Sequence, residues 1–389
     1  MRGVNWVQVR EKYGALLPTC GSREDVDYVI GEMLGELGSS HVYLNPPGAT
    51  GQPAAMNQEA TGMLGVDFAV DRGAYQIRKI YDAATSDAAD RNPLRQPGID
   101  VREGDYLLAV NGKPLDTKQD PWAAFVGLAG KNVTLTFSNK PVLDDDARHV
   151  TVKPGDLDLI YRHQAWIEST RSYVERKTSG RVAYVYLKMT SEFGFREFTR
   201  QFGSQLGKEG LILDARWNQG GHIPYHLLDV LRRQLYFYGD DMRRTPGQKN
   251  YFLDGPKCVL INGVTQSGGD LLAYLVQKSG VGKLVGTRTM GAMVGAGRLN
   301  IPFIDGGYSL VPTVGFYDLN GRWTVEGRGV PPDVQVLDDP AAMADEKDPQ
   351  LDIAIKLVTS ELRARTPARV VQPPFEHLGI ASSTRMRAP

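Results

Sequence analysis

Cysteine is scarce in this 389-residue chain, where Cys20 and Cys258 are the only two. So few thiols leave no disulfide framework and no cysteine-built zinc site, and they fit a reducing compartment. Net charge is missing too, because 45 basic residues balance 45 acidic ones. No overall field then draws the chain to nucleic acid or to an anionic membrane. The start, Met1-Arg2-Gly3-Val4-Asn5-Trp6, lacks the apolar core of a signal peptide. No uncharged apolar run approaches the roughly 20 residues a membrane helix needs. No internal repeat is visible. These absences predict a soluble, cytoplasmic protein with no cofactor and no metal. The alternative is a fragment whose targeting segment lay upstream.

The composition, 41% hydrophobic and 23% charged, is that of a globular chain. Its length suffices for two or three domains. Residues 22–37 read as a helix, with Val26, Val29, Ile30, Met33, Leu34 and Leu37 on one face and a Ser22/Asp25 capping box. Ser39, Ser40 and His41 follow directly, so His41 is expected just past a buried helix end. Residues 61–138 read as a small β-rich unit, with a strand at 106–110 and a tight turn at Asn111-Gly112. Residues 144–148 read as a charged connector. Beyond them strand and helix alternate: strands at 181–187, 211–215 and 258–261, helices at 195–206, 227–235, 271–277 and 351–362. Such alternation predicts a layered βα core.

Ser267 stands between a predicted strand and helix, in Gln266-Ser267-Gly268-Gly269-Asp270. Free N–H groups and the helix dipole favour negative charge there, and Gly268 can offer its N–H to a tetrahedral oxyanion. Read locally, an N-cap explains Ser267 better than a nucleophile does. A second glycine turn, Trp217-Asn218-Gln219-Gly220-Gly221-His222, ends another predicted strand. It either supplies a second oxyanion donor or simply needs unusual backbone angles. Six histidines could act as base: His41, His149, His163, His222, His226 and His377. His222 rivals His41 because it adjoins the glycine turn. His226, one helical turn on, could pair with it on a metal, but no third ligand is evident. Glu326 is expected at a strand end, either orienting the base as a third triad member or paired with Arg328.

In this order and spacing, Gly35-Glu36-Leu37-Gly38-Ser39-Ser40-His41, the Asp214 to His222 turn, Gln266 to Asp270, Gly286 to Gly291, and Val325-Glu326 with Gly329 and Pro332-Asp333 resemble the catalytic half of the tricorn proteases. The chain resembles the tail-specific (C-terminal-processing) peptidases more distantly. The likeness runs from about residue 5 to residue 364. It implies an α/β fold: a crotonase/ClpP-like layered βα catalytic core, an inserted PDZ-like β domain and an N-terminal helical segment. The implied parts are 1–58, carrying the Ser-His pair; 59–142, PDZ-like; and 143–365, the peptidase core. The composition of 366–389, with four prolines and many small polar residues, predicts a disordered tail. It implies a tetrad, with Ser267 as nucleophile, His41 as base, and Ser40 and Glu326 relaying to it. Gly221 and Gly268 would supply the oxyanion N–H groups.

The resemblance further implies a serine endopeptidase acting on short peptides, possible action downstream of a proteasome, and a hexameric homo-oligomer. It makes Asp240, with Asp241 beside it, the candidate for holding basic P1 side chains; a surface charge cluster is the other reading. Two departures stand out: Gln219 replaces a glycine common in the family turn, and no β-propeller is present. The chain is therefore either the core cut from a larger protein or a short relative, and only in a short relative are gating and hexamer formation in doubt. The PDZ-like unit either captures chain ends or only shapes the entrance. The second is favoured because Asp67 would repel a carboxylate. The rival function is a PDZ-bearing scaffold with a dead peptidase domain. A weaker rival is a crotonase-type acyl enzyme binding coenzyme A.

Overall fold

The computed structural model describes residues 3–47, 60–82, 91–156, 158–234, 253–295, 300–345 and 347–365. Residues 48–59, Asp240, Asp241, His377 and the tail 366–389 lie outside the described residues. Helix α1 (Trp6–Gly14) is capped by Asn5, and α2 (Arg23–Gly35) by the Ser22/Asp25 capping box. Only Val29 and Leu34 of the α2 apolar set are buried. The helix also stops short, so His41 rides on the loop 36–42 rather than against a buried helix end. Strand β1 (Tyr43–Asn45) follows.

Strands β2 (Val66–Asp71), β3 (Ala74–Ile80), β4 (Tyr106–Val110), β5 (Lys113–Pro114), β6 (Val133–Ser138) and β7 (Arg148–Val152) build an antiparallel sheet. Its order is β2-β3-β4-β6-β7, with β5 on β4. Ile77, Leu107, Leu135 and Phe137 fill its own core. Asn111 and Gly112, both at positive φ, make the tight β4–β5 turn. Since β7 pairs with β6, residues 144–148 are a hairpin link within this unit and not a connector. The sheet thus extends past residue 142.

Helix α3 (Leu159–Lys177) has no counterpart among the sequence expectations. It buries only Tyr161, Ile167, Thr170 and Val174, a stripe too thin to stand out among its charges. The core then runs β8 (Val182–Tyr186), α4 (Glu192–Gly203), β9 (Gly210–Asp214), α5 (Pro224–Leu231), β10 (Lys257–Ile261), α6 (Gly268–Ser279) and β11 (Lys283–Gly286). Strands β12 (Asn300–Pro302), β13 (Tyr308–Leu310) and β14 (Val334–Gln335), then α7 (Pro340–Ala344) and α8 (Pro349–Ala364), complete it. A parallel sheet of order β14-β11-β10-β9-β8 lies at the centre. Its strands read as near-continuous apolar runs because both faces are covered. Phe198, Leu227, Leu231, Leu272 and Val276 pack on one face. Ile167, Val174, Leu351, Ala354 and Val358 pack on the other. A three-stranded sheet, β1-β13-β12, draws the loop after α2 toward the core. The fold is mixed α/β, as expected. No described helix is long and apolar enough to cross a membrane.

Candidate active site

The two glycine turns leave the carboxyl ends of neighbouring parallel strands, β9 and β10, the edge of such a sheet where sites form. In the first turn Asn218 is buried, donates to Leu187 O (2.7 Å) and accepts the Gly220 N–H (2.9 Å). That fixes the turn from inside. Gly220 is required there, because a Cβ at this position would stand 2.6 Å from Ser267 Cβ. Gln219 is exposed, has no positive φ and donates its N–H to Lys188 O (2.9 Å). The family glycine is therefore replaceable at that position without backbone strain.

The root of the turn is ionic. Arg216 is wholly buried and grips Asp214 (2.6 Å) and Asp348 (2.7 Å). Burial works against its charge, but the two carboxylates outweigh it and hold the guanidinium protonated. The Tyr184 hydroxyl donates to the same Asp214 (2.9 Å).

Ser267 precedes α6 with φ 55° and ψ −117°, a region costing a serine about 1–3 kcal/mol. Its N–H donates to Asp270 Oδ2 (2.9 Å), the Asp270 half of a capping box on α6. Ser267 Oγ lies 3.1 Å from His41 Nε2. His41 Nδ1 lies 3.0 Å from Ser40 Oγ, and the Ser40 hydroxyl donates to Glu326 Oε2 (3.0 Å). Glu326 Oε1 accepts the Ser40 N–H (2.8 Å), which fastens the loop itself. His41, like Ser267, sits at positive φ, 57°. The four side chains singled out from sequence are thus brought together in one line.

Glu326 arrives differently from expectation. It lies in a turn, residues 325–329, rather than at a strand end. Among the described residues, no acceptor is bonded to the N–H of Gly221 or Gly268. A Cβ at 268 would collide with Gly221 O and with Thr190 Oγ1. Thr190 is buried, and its hydroxyl has no partner among the described residues. Beside Ser39 and Glu326 opens an apolar cleft of about 940 Å³, lined by Trp6, Leu34, Val294, Val314 and Trp323 among others.

The rival histidines are elsewhere. His222 is exposed and pairs with Glu192 (2.7 Å). His226 faces the Phe195 ring. His149 bonds the Thr136 hydroxyl. His163 packs among Trp166 and Tyr186, where burial lowers its pKa. No described group of three or more His, Cys, Asp or Glu could hold a metal ion. Asp67 is not a bare charge, since Arg162 (2.6 Å) and the Tyr81 hydroxyl (2.7 Å) hold it. Repulsion by Asp67 is therefore no reason to deny the PDZ-like unit a ligand. Tyr161 and Arg162, pressed on Gly65 and Val66 O, crowd that loop instead. Sequence reasoning gave Arg216, Asn218, Thr190 and Asp270 no role. The signal for Asp214 and Arg216 was available: two charges at the end of an apolar strand are buried only when paired.

Three family models match in order: the tricorn protease C1 domain at residues 1–35, the tricorn protease PDZ domain at 62–156, and peptidase family S41 at 181–336. Tricorn protease homolog 1 of Streptomyces coelicolor is 34% identical over 95% of this chain and 34% of its own length. The tricorn protease of Thermoplasma acidophilum is 30% identical over 92% of this chain and 32% of its own. A crystal structure of the tricorn protease superposes with a TM-score of 0.80 at 30% identity, covering 92% of this chain and 34% of that one. The chain spans about a third of the length of these relatives. The chain thus carries C1, PDZ and S41 segments in the tricorn order and corresponds to the C-terminal region of the tricorn proteases.

Proposed function

We propose that this chain is a serine endopeptidase that hydrolyses peptides through Ser267, His41, Ser40 and Glu326. One observation carries the reading: the unbroken line of contacts from Ser267 Oγ to the Glu326 carboxylate, at 3.1, 3.0 and 3.0 Å. One proton arrangement satisfies every member. Ser267 O–H donates to Nε2, Nδ1–H donates to Ser40 Oγ, and Ser40 O–H donates to Glu326.

In the reaction Ser267 Oγ attacks the scissile carbonyl and its proton passes to His41 Nε2. The imidazolium formed is stabilised through Ser40 by Glu326, the place an aspartate takes in other serine peptidases. The oxyanion takes hydrogen bonds from the N–H groups of Gly221 and Gly268, which have no other acceptor among the described residues. His41 then gives its proton to the leaving amine, and water releases the acyl group by the same steps in reverse. The apolar cleft beside Glu326 suits an extended peptide with apolar side chains. Asp240 stays the candidate for a basic P1 side chain.

The resemblance also supports short peptides left by the proteasome as substrates, a cytoplasmic setting and a homo-oligomer. A fluorophosphonate probe tests the central claim. Labelling of the wild type that disappears in Ser267→Ala is the expected result. A folded chain that resists the probe and cleaves no member of a mixed peptide library would instead be a scaffold.

A further inference from the structure

One buried acid takes no part in the proposed chemistry. Asp270 is wholly buried in the first turn of α6. Its Oδ2 accepts the N–H of Ser267 (2.9 Å) and of Ala292 (2.9 Å), and its Oδ1 accepts the N–H of Gly291 (2.9 Å). The nearby Thr289 side chain favours the charged form of the same carboxylate. Burial pushes its pKa up in spite of these donors, so the charge is held at some cost.

A helix cap needs only the bond to Ser267. The remaining bonds run to the segment 289–292, and its other side grips the turn that carries Glu326. Gly291 O accepts the Gly327 N–H (2.8 Å), and Thr289 N–H donates to Val330 O (3.1 Å). Thr289 Oγ1 accepts the Val330 N–H (2.7 Å). The fit is close, since a Cβ on Gly291 would stand 2.9 Å from Arg328 N. One carboxylate thus joins the backbone under the nucleophile to the backbone under the far carboxylate of the relay. His41 and Ser40 are suspended between these two points on the loop that Glu326 fastens.

We propose that Asp270 is a positioning residue, a strut that sets the spacing between Ser267 and Glu326 and so keeps His41 within reach of the nucleophile. The proposal rests on the serine-peptidase reading above. Its chemistry explains why a carboxylate is used. Asn at this position keeps one acceptor oxygen but turns an N–H-bearing nitrogen toward backbone donors on one side or the other.

The test is steady-state kinetics on a peptide substrate, with the folded fraction followed by circular dichroism. Asp270→Asn should lower kcat about 100-fold with KM changed less than about twofold, the cost of a small misplacement of reacting groups. Combined with Glu326→Gln it should lose little beyond the worse single variant, because both act through one spacing. Thr289→Val should lower kcat about 10-fold, and Thr289→Ser should restore it. Two results overturn the strut: folded Asp270→Asn retaining kcat within about threefold, or losses that multiply with Glu326→Gln. If Asp270→Asn does not fold, Thr289→Val with full kcat overturns it equally. Ser267→Ala serves as the separate control. Should that variant stay active, the peptidase reading fails before the strut is tested.

Discussion

The two ends of the Ser267–Glu326 line are built from different material. The nucleophile end grows out of the parallel sheet, where β9 is buried along its whole length and Asp270, Asn218 and Arg216 are closed from solvent. The base end is loop: Ser40 and His41 on residues 36–42, Glu326 in a turn, all only partly buried. One end is held by the core of the protein, the other by the few hydrogen bonds of the proposed relay. Substitutions at the first end should therefore cost stability and activity together, and at the second activity alone.

The largest effects should be chemical. Ser267→Ala and His41→Ala should each lower kcat/KM by about 10⁴-fold or more, with melting temperature unchanged for His41→Ala. His222→Ala should stay within about twofold, because an exposed pair contributes little. The opposite pattern would hand the base role to His222. Next comes Arg216→Met, which strands the buried Asp214 carboxylate and the partly buried Asp348. Denaturant unfolding should show a loss of about 3–5 kcal/mol.

Gly268→Ala sharpens the contrast, because its methyl would meet Gly221 O and Thr190 Oγ1. It should cost about 1–3 kcal/mol of stability by overpacking and, by displacing an oxyanion donor, about 10²- to 10³-fold in kcat. Glu326→Gln should lower kcat about 10²-fold and leave unfolding where it was. A Glu326→Gln protein that melts much earlier would mean the base end belongs to the core after all.

The smallest effect concerns α3, which packs on the central sheet. His163 is packed among aromatic rings, and burial lowers its pKa from the usual 6.5. The unfolded chain then takes up a proton near that pH while the folded chain resists. Stability should fall as pH drops through 6.5 toward the lowered value, and His163→Phe should flatten that part of the curve.

Legibility from sequence followed the same division. The sheet end showed plainly, as apolar runs stopped by glycine turns, since burial on both faces writes itself into composition. Ser267 alone could not be told from a helix cap. What separates the two is a hydroxyl within hydrogen-bond reach of a histidine far away in the chain. The loop end was visible only through resemblance, because nothing in residues 36–42 or 325–329 has a period. Helix α3 escaped notice for a related reason. Its first turn is held by ion pairs, Arg162 on Asp158 and Asp67, and such pairs leave no apolar pattern.

Trp217 adds a practical consequence. It sits inside the first glycine turn at φ 58°, edge-on to Trp166 (5.9 Å between ring centres) with the Arg216 guanidinium 5.2 Å from its own ring. An indole so placed changes its emission when its neighbours shift. Any rearrangement of the Gly220-Gly221 backbone on acylation should therefore register as a fluorescence change at one tryptophan out of five. The protein carries an optical gauge four residues from Gly221, one of its proposed oxyanion donors, readable without a labelled substrate.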